Sequence, residues 1–252
     1  MSLVETTVQD GIAEIRLARP PVNAMNPELC LAVREALDAA IGAGAQGIIL
    51  GSSAKVFSAG LDVPHLVSLG QDHDALRSAW QAFFDTALAL ANAPVPVVAA
   101  LSGHAPAGGC VWALCCDYRV MASGPFRVGL NETQVGLVAP EGIQRLMRRI
   151  VGPHRAERLL VSGEMVEAEQ ALAYGLVDEL VDVDSVATRA RVWLEQLLTL
   201  PRDAMLATRA IARADVVDAL QPHNIQLGRF VDAWFADGTQ AALRALLAKL
   251  GK

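Results

Sequence analysis

Between Thr86 and Cys116 the chain carries no Asp, Glu, Lys or Arg; its only ionisable groups there are His104 and the thiols of Cys110, Cys115 and Cys116. A stretch this long without a full charge has to leave water. Two media can receive it, a bilayer or a protein interior. A spanning helix needs about 20 uninterrupted apolar residues. Pro94, Pro96, Gly103, Pro106, Gly108 and Gly109 break the run repeatedly, so no membrane span is expected. What remains is the end of a buried helix, a strand over 95–101, and a glycine turn opening another buried helix. A strand apolar on both faces belongs to a largely parallel sheet covered on both sides. This segment alone points to a layered α/β architecture.

The flanking sequence agrees. Asp10-Gly11 sits between two β-patterned runs, 4–8 and 12–17, and predicts a hairpin. Pro27 opens a helix through about residue 43, with Asn26 as its cap. Residues 47–50 read as a buried strand, 75–90 as a helix and 116–121 as a strand. Helices follow over 140–150, 155–160 and 167–173, then a strand over 177–181. From 183 onward the pattern is helical throughout, over about 183–200, 202–214, 222–236 and 238–249. The expected organisation is a core over 1–182 and a helical region over 183–252. With 252 residues, 53% hydrophobic and 19% charged, the chain has ample material for a packed interior.

Composition also narrows the chemistry. A formal net charge of −6 argues against nucleic acid as a partner. The four cysteines, Cys30, Cys110, Cys115 and Cys116, have no metal-ligand spacing and read as buried thiols in a reducing compartment. No metal and no cofactor are expected. The N-terminal residues show neither a basic start nor an apolar stretch, which predicts a cytoplasmic protein.

Two turns rich in small residues stand out: Phe57-Ser58-Ala59-Gly60-Leu61-Asp62 and Gly103-His104-Ala105-Pro106-Ala107-Gly108-Gly109-Cys110. Turns of this kind free backbone N–H groups at a helix start and let a ligand oxygen approach closely. Tight packing accounts for such glycines equally well, so spacing alone leaves both readings open.

Taken together, Pro21-Val22-Asn23-Ala24-Met25, FSAGLD at 57–62, GHAPAGGC at 103–110 and the stretch Gly152–Gly175 resemble the crotonase (enoyl-CoA hydratase/isomerase) superfamily. The resemblance implies a spiral of ββα units with a helical C-terminal trimerisation region, giving a trimer or dimer of trimers. It implies an acyl-CoA substrate with no further cofactor. It assigns the oxyanion hole to the amides of Ala59 and Gly108. It places Val22, Ala24, Ser58, Ala59, Gly60, Leu61, Asp62, Ala107 and Asn131 around the CoA moiety and its thioester.

Hydratases of this family carry two glutamates. Here the first position is Val111, while the second survives as Glu132 in Gly129-Leu130-Asn131-Glu132-Thr133-Gln134. That combination resembles the mitochondrial-type Δ3,Δ2-enoyl-CoA isomerases and implies a double-bond shift in fatty-acid β-oxidation, with Glu132 as the single acid/base. Glu141 is the departure, a possible second acid that would support hydration, hydrolysis or a ring-degradation step. A non-catalytic acyl-CoA binding protein is the third reading. On their residue context Asp62 reads as a helix cap, Glu141 as a first-turn acid and His104 as a partly buried structural histidine. The leucines at 243, 246, 247 and 250 form a stripe suited to assembly, and Lys249 and Lys252 read as surface lysines.

Overall fold

The structure, a computed structural model, describes residues 2–249 and 251; Leu250 and Lys252 lie outside the described residues. Nine strands occur among them: β1 (Val4–Gln9), β2 (Ile12–Leu17), β3 (Gly47–Ser52), β4 (Val97–Leu101), β5 (Ala105–Pro106), β6 (Tyr118–Ala122), β7 (Arg127–Gly129), β8 (Val166–Glu167) and β9 (Glu179–Val181). The helices of the first part are α1 (Pro27–Gly42), α2 (Val63–Ser68), α3 (His73–Ala91), α4 (Gly108–Leu114), α5 (Glu141–Val151), α6 (Pro153–Ser162) and α7 (Ala168–Tyr174). After β9 come α8 (Val186–Leu198), α9 (Arg202–Ala212), α10 (Ala214–Ala219), α11 (Pro222–Ile225), α12 (Leu227–Trp234) and α13 (Asp237–Lys249).

The hairpin forms as its turn chemistry demands. Gln9 pairs with Ile12 across Asp10 and Gly11, both at positive φ, 51° and 75°. Asn26 caps α1 by accepting the Leu29 N–H at 3.0 Å. The main sheet runs β1-β2-β3-β4-β6-β9, antiparallel at the first pair and parallel thereafter. Strand β4 is buried along its whole length. Its residues alternate between two cores: Val97, Ala99 and Leu101 face the large one, Val98 and Ala100 a smaller one closed by Val186, Ala190 and Leu194 of α8. The charge-free sequence is thus satisfied by helices on both sheet faces.

The helices after β9 are tied to the sheet by a partly buried ion pair. Asp117, just before β6, accepts a forked pair of bonds from Arg209 at 2.7 and 2.8 Å and lies 3.2 Å from Arg213. Its Oδ2 also accepts the Val97 N–H at 2.8 Å. Charge-assisted bonds of this geometry hold α9 against the start of β4.

Some elements depart from the pattern read in the sequence. The expected helix over 222–236 is interrupted at Gln226, whose φ of 49° is left-handed and separates α11 from α12. The short strands β5, β7 and β8 form a second sheet too brief for periodicity to reveal. Helix α2 is likewise new; Asp62 caps it by accepting the His65 N–H at 3.1 Å. The leucine stripe of α13 turns inward in part: Leu243 is buried, and Leu246 borders the cavity described next.

Candidate active site

The C-terminal ends of β3 and β4 open into the two small-residue turns, and these meet. A Cβ on Gly60 would stand 3.2 Å from the Pro106 carbonyl and 3.3 Å from the Gly108 nitrogen. Gly60 also sits at a φ of 82°, so both its conformation and the close backbone approach call for glycine. Opposite it, Ala107 is held at φ 45° and ψ −116°, a conformation that costs an L-residue energy and turns the chain sharply into α4.

Hydrogen bonding decides which amides remain free. Ser58 is fully buried; its Oγ donates to the Asn23 carbonyl at 2.7 Å and accepts the Gly60 N–H at 3.1 Å. The Ala59 N–H donates to the Val22 carbonyl at 2.9 Å. The expected oxyanion donor at Ala59 is therefore corrected: that amide already has an acceptor within the scaffold. Leu61 is different. Its neighbours are bonded, Met25 N–H to the Gly60 carbonyl and Asp62 N–H to the Met25 carbonyl, while its own N–H finds no acceptor among the described residues. The Gly108 N–H, first in α4, also has none, as an N-terminal helix position requires. The free pair is Leu61 and Gly108, which are neighbours in space: a Cβ on Gly108 would stand 3.3 Å from Leu61 Cδ1.

These turns line a cavity of about 720 Å³. One end is bordered by Arg19, Pro21, Val22, Ala24, Asp62 and Pro64. Asp62 pairs there with Arg19 at 2.7 Å while capping α2, so it serves the scaffold. The middle is walled by Ala59, Leu61, Ala107, Gly108, Asn131 and Glu132. The other end is apolar, with Trp80, Phe83 and Phe84 of α3 facing Phe230 and Trp234 of α12 and Leu246 of α13. Ser58 and Gly60 do not reach the cavity surface; they shape the turn behind it.

Glu132 is the one carboxylate at the centre of this wall. It begins a 3-10 turn, Glu132–Val135, which is braced from three directions. Gln134 Nε2 donates to the Gly163 carbonyl at 2.8 Å, Thr133 Oγ1 to the Leu160 carbonyl at 3.3 Å, and Thr239 Oγ1 of α13 to the Gly136 carbonyl at 2.7 Å. Glu132 Oε2 is sealed from solvent with no hydrogen-bond partner. Burial raises its pKa from 4.5 to about 7, only partly opposed by its own backbone N–H. Val111, one turn into α4, also lines the cavity, so no second acid stands at that position.

Glu141 does not join the site. It lies on the outer side of α5, bonded to Arg148 at 2.9 and 3.3 Å and to Arg145 at 3.2 Å. The Arg148 bond and its companions hold its carboxyl below the usual range. Pro140 and Ile143 border the cavity in its place. The expectation of a second acid is thereby corrected. His104 is exposed rather than partly buried and accepts the Arg127 N–H through Nδ1 at 3.1 Å. Among the described residues no cluster of three or more His, Cys, Asp or Glu is placed to hold a metal, and no helix is long and apolar enough to cross a membrane. All four cysteines are free and buried; burial pushes the Cys30 thiol up to about 12. Sequence reading missed two participants, the Leu61 amide and the brace from Thr239. No local pattern signals either, because each depends on a distant partner.

Comparison with known proteins now bears on this geometry. The mitochondrial enoyl-CoA delta isomerase 1 of Mus musculus is 34% identical over 252 residues, covering 98% of this chain and 86% of that protein. A probable enoyl-CoA hydratase of Mycobacterium tuberculosis is 37% identical over 206 residues, covering 79% and 76%. The crystal structure of human mitochondrial delta3-delta2-enoyl-CoA isomerase superposes with a TM-score of 0.92 at 30% identity, covering 99% of this chain and 98% of that one. The architecture is the crotonase-like α/β fold of repeated ββα units with a C-terminal helical bundle. The same comparisons correct the expected cytoplasmic location, since the mouse, human and rat relatives are all named as mitochondrial. A cell's address signals are read apart from the folded core, so core composition is silent on compartment. The sequence profile of the enoyl-CoA hydratase/isomerase family matches residues 7–235, and the chain belongs to that family.

Proposed function

We propose that this protein is a Δ3,Δ2-enoyl-CoA isomerase that uses one carboxylate, Glu132, to move a proton between C2 and C4 of an acyl-CoA thioester. The acyl-CoA substrate and an enzymatic role in fatty-acid breakdown follow from the family. The observation that carries the finer reading is the desolvated Glu132, whose Oε2 has no hydrogen-bond partner, with Val111 where a second acid would stand.

With the thioester oxygen at the free N–H groups of Leu61 and Gly108, ionised Glu132 takes a C2 proton. The electrons released delocalise onto the thioester oxygen as a dienolate. Two preorganised donors at that oxygen lower the barrier by a few kcal/mol each, on the order of 10²–10³ in rate. Glu132, now protonated, returns the proton at C4, and the double bond passes from C3–C4 to C2–C3. A pKa of about 7 suits a group that must both accept and release a proton near neutrality. The apolar end of the cavity takes the acyl tail.

Assembly through the helices after residue 182, as a trimer or a dimer of trimers, is part of the same proposal. Ile211 on α9, 80% exposed, is a large apolar side chain of that region left uncovered in the single chain; light scattering of the purified protein tests the assembly.

The functional test is direct. Purified protein is incubated with a 3-enoyl-CoA; 2-enoyl-CoA is followed by the absorbance of its conjugated thioester, and any addition of water by the gain in mass. Conversion is expected, with negligible addition of water to 2-enoyl-CoA. A Glu132→Gln variant working at full rate, or hydration as fast as isomerisation, defeats the proposal.

A further inference from the structure

Beside the apolar end of the active cavity lies a second hollow of about 510 Å³, between α3 and the segment running from α11 into α12. Its apolar lining comes from Leu88, Leu220, Ile225 and Leu227, and its polar lining from Arg77, Gln81, Asp85, Gln226 and Arg229. Among the described residues lining the two spaces, Phe84 is the one they share.

The position of Phe84 gives that sharing a direction. A Cβ on Gly108 would touch Phe83 Cε2 at 3.0 Å, so Phe83 abuts the reacting end. The Phe84 ring lies 5.2 Å beyond, centroid to centroid, edge-on to Phe83. It is held there by Trp80 at 6.0 Å and Phe230 at 6.4 Å, and Trp80 packs on Phe230 at 4.3 Å. Phe84 is 5% exposed despite bordering two hollows; its ring is a partition between them, fixed by aromatic packing.

We infer that Phe84 is the stop that sets the longest acyl chain the site accepts, and that the hollow behind it is an unused extension of the acyl channel, lined to take further methylenes. This rests on the acyl-CoA reading given above. A chain growing from the thioester gains buried surface until it meets the Phe84 ring, and then gains nothing. With the ring removed, added methylenes enter a space already walled by Leu88, Ile225 and Leu227. Each methylene taken out of water tightens binding about fourfold.

The experiment measures binding of saturated acyl-CoAs of increasing length, by titration calorimetry, to the wild type, Phe84→Ala, Phe84→Leu and Leu88→Ala. Saturated chains are not turned over, so the readout is independent of catalysis. The wild type is expected to tighten with length and then level off. Phe84→Ala shifts the levelling point by two or more carbons, giving about tenfold or greater tightening for the longer chains. Phe84→Leu shifts it by less, and Leu88→Ala, which touches only the second hollow, leaves it in place. Should Phe84→Ala be poorly folded, Phe84→Leu carries the test alone. A levelling point unmoved in either folded Phe84 variant, or moved equally by Leu88→Ala, overturns the inference. Failure of every acyl-CoA to bind the wild type instead overturns the reading of the site itself.

Discussion

The Ala59 amide donates to the Val22 carbonyl at 2.9 Å, and this bond leaves the amide of Leu61, two residues on, as the free donor of its turn. The consequence is a test at the level of the backbone. Replacing the Leu61 peptide N–H by an ester oxygen, through semisynthesis with the hydroxy acid, removes one donor and leaves the side chain. The expected outcome is a loss of on the order of 10²–10³ in kcat, with a smaller change in KM. The same exchange at Ala59 removes a scaffold bond instead. It is expected to lower Tm and spare most of the turnover of the folded fraction. Equal loss of kcat at both positions contradicts the assignment.

Glu132 ties activity to stability with opposite signs. Its folded pKa, about 7, lies above the unfolded value near 4.5. The folded protein therefore holds this proton more tightly, and ionisation of Glu132 opposes folding. Its share of stability is fully present below about pH 4.5 and is lost as pH rises through about 7. Glu132→Gln removes the penalty and is expected to stabilise the protein at pH 8 by up to roughly 3 kcal/mol, with no gain at pH 4. The same variant should lose about 10²–10⁴ in kcat. In the wild type, kcat/KM should rise with pH and level off above about 7, because the ionised form is the base. Urea titrations and pH–rate profiles read both signs; a profile flat from pH 5.5 to 8 sinks the assignment of Glu132 as base.

Glu141 gives the control. Its carboxylate is about 42% exposed in side-chain surface and bonded to Arg145 and Arg148. Exposed pairs of this type contribute about 0–1 kcal/mol. Glu141→Ala is expected to keep turnover within about twofold and to shift stability by no more than that range, read by steady-state rates and thermal unfolding. A collapse in turnover with folding intact would restore Glu141 as the second acid.

The sequence disclosed features whose cause is local. The Asp10-Gly11 turn, the Asn26 cap and the charge-free stretch from Thr86 each specify their element through neighbours a few residues away. Glu132 and Gly108 were legible because the motifs around them resemble a family. The Leu61 donor was not, since which amide stays free depends on Val22, a partner almost 40 residues distant in the chain. The break at Gln226 was hidden because nothing in its composition demands a left-handed residue. For Glu141 the sequence left two readings, and the first-turn acid is the one realised: it opens α5, with Arg145 at the i,i+4 spacing that pairs charges and Arg148 one turn further along. Compartment was misread because a folding core carries no address.

Asp117 provides the last prediction, because it links the sheet to the part of the cavity built by the tail. Its two oxygens serve Arg209, Arg213 and the Val97 N–H, and its side chain is 9% exposed. Removing one member of such a nearly buried group strands the others, which costs about 3–5 kcal/mol. Asp117→Ala is thus expected to lower stability by that amount, with Arg209→Ala close behind and the double variant less than additive. The loss should reach the site through geometry: α9 leads by way of α10 and α11 to α12 and α13, which supply Phe230, Trp234 and Leu246 to the acyl end. Loosened there, the cavity holds the tail of the substrate less well while Leu61, Gly108 and Glu132 keep their places. KM for long-chain substrates should rise more than kcat falls, and short-chain substrates should be affected less. Equal effects on all chain lengths would mean that the tail helices do not transmit this anchor to the acyl wall.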